Sequence, residues 1–544
     1  MSPAGSLLDS LRARLGARSS RARPLGMLLV LAVGILFAGL FSPFITDDAL
    51  ITLRYARHLS AGEGIVFNPG EAPVEGYSNF LQLLLGALAL RLDLAPLPLL
   101  RGLNLGAAIL LLPALYTLVQ RELGRPALAT GAALLLAVHA PLWYWAASGL
   151  ETALYALMLL AGVGLVSAAR PGLRLLSALP LLLAALLRPE GAAAIAAIGC
   201  VLAVDALREA PSPRAGLRDL VRARGAWLAA VALPYAAYTA WRLATFGDLL
   251  PNTVHYKAGA TSPGALVWAL VDGAGPLVAA AALAPLHRLG PFARIAAALA
   301  LLHAAMLWNV TPSVAYLHRF FIPVLPLLVA LAAFAADAAL GPRSRASARR
   351  GAVLLALAVA WSVLNPRSGA AAALERVDHH RQRYAARLRV AAALGERLDP
   401  AARIAVGDVG VIGYVLPNPI VDAFGLNDRA FTGRFARHRK RWVDAILRAR
   451  PDAVVLVSKS VHEQRGPYRT DDHFAEHPIF RQDYLFDQAI AGPQGYHYRI
   501  YLHRRPRHRR AAPLALPAIR GDDLGRDTER LRLALAPGPA ALAD

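Results

Sequence analysis

Residues 25–48 read LGMLLVLAVGILFAGLFSPFITDD, an apolar run of membrane-spanning length closed by two adjacent carboxylates, Asp47 and Asp48. A helix crossing lipid needs about 20 mostly apolar residues, because the hydrocarbon core is about 30 Å thick. Arg12, Arg14, Arg18, Arg21 and Arg23 precede the run, which keeps residues 1–24 on the cytoplasmic side as a basic N-terminus. No small-residue cleavage site follows, so the run reads as an anchor rather than a signal peptide. The rest of the chain agrees. Of its 544 residues 56% are hydrophobic and only 17% charged, with mean hydropathy +0.43, against about 25% charged in soluble domains. Those proportions exclude an ordinary soluble enzyme and a disordered chain. The lone Cys200 has no partner for an internal disulfide, which excludes a disulfide-stapled domain. A net charge of +22 elsewhere suggests nucleic acid, but here apolar runs separate the basic clusters, so nucleic acid is not an expected partner.

Ten further runs fall near 97–119, 127–146, 150–168, 174–188, 190–207, 226–244, 264–286, 292–309, 319–339 and 351–365, giving about eleven spans in a 25–365 transmembrane domain. Place the N-terminus and the segments around 121–125, 170–174, 208–224, 288–294 and 343–350 inside, and they hold 20 of the 28 Lys and Arg before residue 366. That asymmetry is what the positive-inside rule requires, and an odd span count leaves the C-terminus outside. Phe80–Leu90 is too short to cross, and counting it would invert every later basic loop. It reads as an interfacial helix in an outer loop, 46–96.

After residue 366 charges rise and apolar runs shorten. Short strands are expected at 403–407, 419–422 and 452–457, with an amphipathic helix over 441–450. The fold class is thus a polytopic α-helical membrane protein with an extracytoplasmic α/β domain over 366–510. The Pro/Ala/Arg-rich stretch 511–544 is expected to be a disordered tail. No internal repeat is visible, which counts against a transporter.

Chemistry is concentrated where charge meets the outer membrane face. Asp47 and Asp48 suit a general base or a divalent cation, and equally the capping of a helix that starts at Ala49. Other outer polar residues follow: Glu75, Tyr77 and Asn79, then Glu151 at the start of a span. Arg188 and Glu190 flank Pro189, Asn252 and His255 precede Lys257, and His318-Arg319 opens the tenth span. Taken singly, each fits an interfacial anchor. Together they collect acids and cations on one face, and ionisable groups at membrane depth are functional candidates by default. Arg and Lys there suit a phosphate.

Several stretches resemble the GT-C superfamily of polytopic glycosyltransferases, and within it the branch of mycobacterial terminal arabinofuranosyltransferases. They are Asp47-Asp-Ala-Leu-Ile-Thr-Leu-Arg-Tyr-Ala56, Gly64-Ile-Val-Phe-Asn-Pro-Gly-Glu71, Val74-Glu-Gly-Tyr-Ser-Asn-Phe80, Ser148-Gly-Leu-Glu-Thr-Ala153, Leu187-Arg-Pro-Glu-Gly191, Leu250-Pro-Asn-Thr253, Arg319-Phe-Phe-Ile-Pro-Val-Leu-Pro326, Gly413-Tyr and Val421-Asp-Ala-Phe-Gly-Leu-Asn-Asp428. The resemblance implies an inverting transfer from a polyprenyl-phosphate sugar, arabinofuranose first, to a cell-envelope polysaccharide or lipid glycan on the outer face of a bacterial cytoplasmic membrane. It implies that Asp47 or Asp48 is the base and that Lys257, Arg319 or Arg188 binds the lipid phosphate. The C-terminal domain would bind or orient the acceptor. The rival class is a transporter or flippase of a lipid-linked sugar, which has no need of a base.

Other signals carry less. Gly407-Asp-Val-Gly-Val-Ile-Gly413 lacks the GxGxxG spacing of a dinucleotide loop and reads as a tight turn. His379-His380 has no set of partners at metal-ligand spacing and reads as a solvated helix face. His503–Arg510 (HRRPRHRR) reads as a basic tail.

Overall fold

A chain in lipid must satisfy every backbone N–H and C=O within itself, so its apolar runs fold as helices. The computed structural model describes residues 25–168, 170–257, 262–285, 290–310, 316–428, 439–510, 514, 516–521 and 523–536, and the basic N-terminus 1–24 lies outside them. Each expected span contains a helix. They are Leu25–Phe41, Pro96–Leu123, Pro126–Ala137 with Ala140–Ala147, Thr152–Val166, Pro171–Leu176 with Ala178–Leu187, Glu190–Glu209, Pro213–Phe246, Ala265–Ala282, Pro291–Met306, Leu325–Leu340 and Arg345–Leu364. By length and composition five of the described helices can cross a membrane, or six if the pair Pro126–Ala137 and Ala140–Ala147, bent by 54°, is one span. The bend has a local cause. Pro141 lacks an N–H and its ring would clash with the Ala137 carbonyl, so the helix breaks at Val138-His139. Leu233, Leu301 and Leu364 stay exposed on the bundle, as a lipid surround allows.

Between the first two spans lie the helices Asp47–Ser60 and Phe80–Arg91. The second has 12 residues, about 18 Å at 1.5 Å per residue, too short to span. The two pack closely because Gly86 has no side chain to hold off Leu53 and Ala56.

The C-terminal part begins with the long helix Ala370–Arg397 and builds one five-stranded sheet: β1 Ile404–Val406, β2 Ile420–Asp422, β3 Ala453–Ser458, β4 Tyr484–Ile490 and β5 His497–His503. The order is β2-β1-β3-β5-β4. β1 lies parallel to β2 and β3, in register Ile404↔Ile420 and Ile404↔Ala453, while β5 runs antiparallel to β3 and β4. The three expected strands are β1, β2 and β3. β4 and β5 escaped the sequence reading because polar and charged residues interrupt them, Arg499 and His503 among them, and these side chains are buried in the fold. The amphipathic helix is Arg439–Arg448, whose Val443, Ile446 and Leu447 face the sheet.

The expected disordered tail is a correction. Leu524–Leu535 is a helix, with Leu524, Leu531 and Leu535 buried along one side. It docks through Leu535 on Gly395, Tyr384 Oη to Thr528 Oγ1 at 2.8 Å and Tyr414 Oη to Glu529 Oε1 at 2.9 Å. Nor is HRRPRHRR a loose tail: the Arg507 and His508 amides donate to Asp452, and the Arg510 amide to the Arg397 carbonyl. Residues 537–544 lie outside the described residues.

Candidate active site

Thr46, not either aspartate, takes the N-cap position of the helix Asp47–Ser60, and both carboxylates stand in its first turn, where negative charge suits the helix dipole. Consecutive helical residues are about 100° apart around the axis, so the two side chains meet different surroundings. Asp47 Oδ2 accepts from the Gly410 amide at 3.0 Å and Oδ1 from the Val411 amide at 2.9 Å, with Arg387 Nε 3.4 Å away. Gly410 is required here, since a Cβ at that position would collide with the Asp47 carbonyl. Asp48 Oδ2 instead pairs with Arg319 Nη2 at 2.9 Å, and its side chain remains 45% exposed. Burial acts to raise the Asp48 carboxyl, but Arg319 and Lys257 outweigh it and hold it below the ordinary range.

Three cations share one aromatic ring beside Asp48. The guanidinium carbons of Arg188 and Arg319 and the ammonium of Lys257 lie 5.6, 5.5 and 5.6 Å from the Phe320 centroid, within cation–π range. Arg319 also lies 5.0 Å from the Trp145 ring. Arg188 is closed off by Glu151, Nε to Oε1 2.6 Å, with 6% and 2% of the two side chains exposed. Burial and the neighbouring Arg319 pull Lys257 down to about 8. Glu190 acts electrostatically on both Arg188 and Lys257. Asn79 joins this group through a relay in which Thr52 Oγ1 donates to Asn79 Oδ1 at 2.8 Å and Asn79 Nδ2 donates to Glu151 Oε2 at 2.8 Å.

The remaining sequence candidates lie elsewhere. Glu75 is held by the Arg242 guanidinium at 2.5–3.1 Å in a buried pair. Tyr77 packs edge-on against Tyr55, centroids 5.1 Å apart. Asn252 Nδ2 donates to the Gly425 and Leu426 carbonyls at 3.1 and 2.8 Å, tying the 252–257 segment to the C-terminal domain. His255 pairs with exposed Asp248 at 3.0 Å. Leu317 and His318 have φ of 47° and 55°, a left-handed turn that is uncommon outside glycine. It sends His318 toward Gly273 and the His139 ring while its neighbour Arg319 faces Phe320. His139 and Gly273, which His318 approaches, line an apolar cavity of about 1130 Å³ together with Ser368, Arg125, Arg343 and Ser344.

Some residues of the site were not legible in advance. Arg54 is fully buried and donates to the carbonyls of Phe67, Gly413, Leu416 and Asn418 and to Asn68 Oδ1, stapling residues 67–68 to the C-terminal domain. Arg387 bridges Asp47 and Asp408. His380 is not on a solvated face: its Nδ1 lies 2.9 Å from the Arg376 carbonyl, which fixes the proton there, and Nε2 accepts from Tyr316 Oη at 2.9 Å. Burial and Arg383 pull it down to about 3, so the ring is neutral. The Gly407–Gly413 turn opens the helix Val409–Val415, and its amides take a carboxylate of the chain itself. Among the described residues no group of three or more His, Cys, Asp or Glu is placed to hold a metal ion. Asp47 is engaged by two amides and Asp48 by Arg319, with Lys257 also acting on it, surroundings that favour an anion over a divalent cation.

Residues 375–501 match the model of a domain of unknown function, DUF8728. No curated protein matches the sequence. In three dimensions the chain is similar to ArnT from Cupriavidus metallidurans, in the crystal structure bound to undecaprenyl phosphate, with a TM-score of 0.56 and 14% identity over 87% of this chain and 97% of that one. The apo structure of the same ArnT gives 0.53 and 14% over the same shares. At such identity the likeness is one of fold: the chain is a polytopic helical protein of GT-C-like fold with a C-terminal α/β domain.

Proposed function

We propose that this protein is an inverting membrane glycosyltransferase that moves a sugar from a polyprenyl phosphate to a hydroxyl acceptor. The observation that carries the reading is a half-exposed carboxylate, Asp48, 2.9 Å from one of three cations gathered on Phe320. An arriving phosphate competes for Arg319, with Lys257 and Arg188 beside it, and so loosens the Arg319 grip on Asp48. Asp48 then takes the proton of the acceptor hydroxyl as its oxygen attacks the anomeric carbon. The bond from that carbon to the phosphate oxygen breaks with its electron pair going to the phosphate, whose charge the cations stabilise. Attack opposite the leaving group inverts the centre. The apolar cavity beside His318 is the proposed seat of the prenyl chain.

The finer reading rests on the sequence. Arabinofuranose is the first sugar, a cell-envelope polysaccharide or lipid glycan is the acceptor, and the reaction faces the outside of a bacterial cytoplasmic membrane. The basic inner loops support that orientation, because Asp48 follows the first outward span. The test is transfer of radiolabelled sugar from a panel of synthetic polyprenyl-phosphate sugars, arabinofuranose and mannose included. Asp48→Asn is expected to lower the rate by about 10²–10⁴-fold while still binding undecaprenyl phosphate. A wild type that uses no donor sinks the reading, and one that uses only mannose replaces the sugar.

A further inference from the structure

The C-terminal domain touches the carboxylate pair itself. Arg387, on the helix Ala370–Arg397, is 3% exposed. Its Nε and Nη2 lie 3.1 and 2.8 Å from Asp408 Oδ2, and its Nε 3.4 Å from Asp47 Oδ1. Asp408 Oδ2 also accepts from Tyr496 Oη at 2.8 Å and Tyr498 Oη at 2.6 Å. Arg383 stacks 3.5 Å over the Tyr496 ring. Directly after Asp408 come the amides of Gly410 and Val411 that hold Asp47. Asp47 is thus an acceptor held by three groups of the C-terminal domain, none of them one of the cations gathered on Phe320.

Resting on the glycosyltransferase reading, we propose that Arg387, Asp408 and the Gly410–Val411 amides form a positioning clamp that fixes Asp47 and thereby aims Asp48 at the acceptor hydroxyl. Asp47 and Asp48 are neighbours in one helical turn, so pinning the first sets the rotation of the helix and the direction of the second. A displacement of 1 Å in a reacting group costs about 10²-fold in rate. The clamp makes the domain part of the catalytic machinery, whether or not it also touches the acceptor. Arg387 acts through Asp47 and is a positioning residue, not a catalytic one.

The test compares Arg387→Gln, Arg387→Lys and Tyr498→Phe in full-length protein, measuring kcat, donor KM and the pH profile of transfer. The charged or titratable groups facing Asp48 are Asp47, Arg319, Lys257, Arg387 and Tyr316. Removing the Arg387 charge lets Asp48 hold its proton to higher pH, so the acid limb of the profile shifts upward in Arg387→Gln and stays in place in Arg387→Lys. The clamp predicts that Arg387→Gln lowers kcat by about 10- to 100-fold with donor KM within about twofold and Arg387→Lys recovering part of the loss. If Arg387→Gln does not fold, Tyr498→Phe, which keeps both charges, is expected to lower kcat by about three- to tenfold at unchanged KM. A folded Arg387→Gln with wild-type kcat and acid limb overturns the clamp, as does a folded Tyr498→Phe at full rate if Arg387→Gln is lost. A wild type inactive on every donor overturns the underlying glycosyltransferase reading instead.

Discussion

On one side of the helix Asp47–Ser60, Asp47 meets two backbone amides and a buried arginine, all from the C-terminal domain, and keeps 13% of its side chain exposed. On the other side, one residue later, Asp48 meets a single arginine at the edge of a cation cluster and keeps 45% exposed. The two residues are chemically identical, so the difference comes wholly from what the fold brings against them. A carboxylate with its acceptor capacity filled by backbone amides cannot change partners without stranding them, at about 1–3 kcal/mol for each buried donor. A carboxylate with one side-chain cationic partner and an exposed flank can receive a further group there. Enclosure and exposure are therefore divided between neighbours, and the same division recurs among the cations: Arg188 is closed in by Glu151 whereas Arg319 faces open Asp48.

That contrast breaks most sharply if Asp47→Asn, correctly folded, costs as much rate as Asp48→Asn. The anchor assignment expects a smaller loss in rate accompanied by a lower melting temperature. Next in size is Arg54→Leu, which leaves the carbonyls of Phe67, Gly413, Leu416 and Asn418 without that donor. It should cost about 3 kcal/mol or more, read as a fall in the melting temperature of the purified protein. A melting curve like wild type would mean the outer loop is held to the domain by other contacts.

Lys257 sharpens the open side of the comparison. Its ammonium, held down to about 8 by burial and Arg319, carries its charge below that pH and loses it above, so donor affinity is full on the acid side and falls as pH rises. Bound phosphate favours the charged form and moves the fall somewhat higher. Donor KM is expected to increase by about three- to tenfold between roughly pH 7 and pH 9.5, and Lys257→Arg should flatten the rise. A flat wild-type KM would remove Lys257 from the phosphate. The smallest effect belongs to His255→Ala, which deletes a solvent-exposed pair with Asp248 and should leave transfer within about twofold of wild type. A larger loss would bring His255 back into the site.

Charged side chains stand out against an apolar background because burying them is costly, and that cost made Asp48, Lys257, Arg188 and Arg319 legible as a set. It did not reveal that three of them share Phe320, which in sequence is one more apolar residue of the tenth span. Arg54 and Arg387 were hidden for the opposite reason. Each lies in an ordinary helical stretch where a solvated arginine reads the same, and its partners lie on other elements: Phe67 and Asn68 in the following loop and Gly413, Leu416 and Asn418 more than 300 residues away for Arg54, and Asp47 and Asp408 for Arg387. The docked helix Leu524–Leu535 was missed because its apolar face is short and sits in a Pro/Ala/Arg-rich stretch, and its place is set by contacts with Gly395, Tyr384 and Tyr414.

The sequence by itself marked the chain as a helical membrane protein and showed where its apolar runs give way to polar segments and which acids and cations those segments carry. These follow from a local rule: lipid admits only apolar segments that satisfy their own backbone, and the rule can be read one window at a time. Which aspartate is held and which is open, which arginine is a staple and which pairs with the open aspartate, and that the C-terminal domain grips the helix Asp47–Ser60 were decided by tertiary structure alone. Those outcomes depend on through-space pairing of charges and amides, and a short-range interaction between distant positions leaves no pattern along the chain.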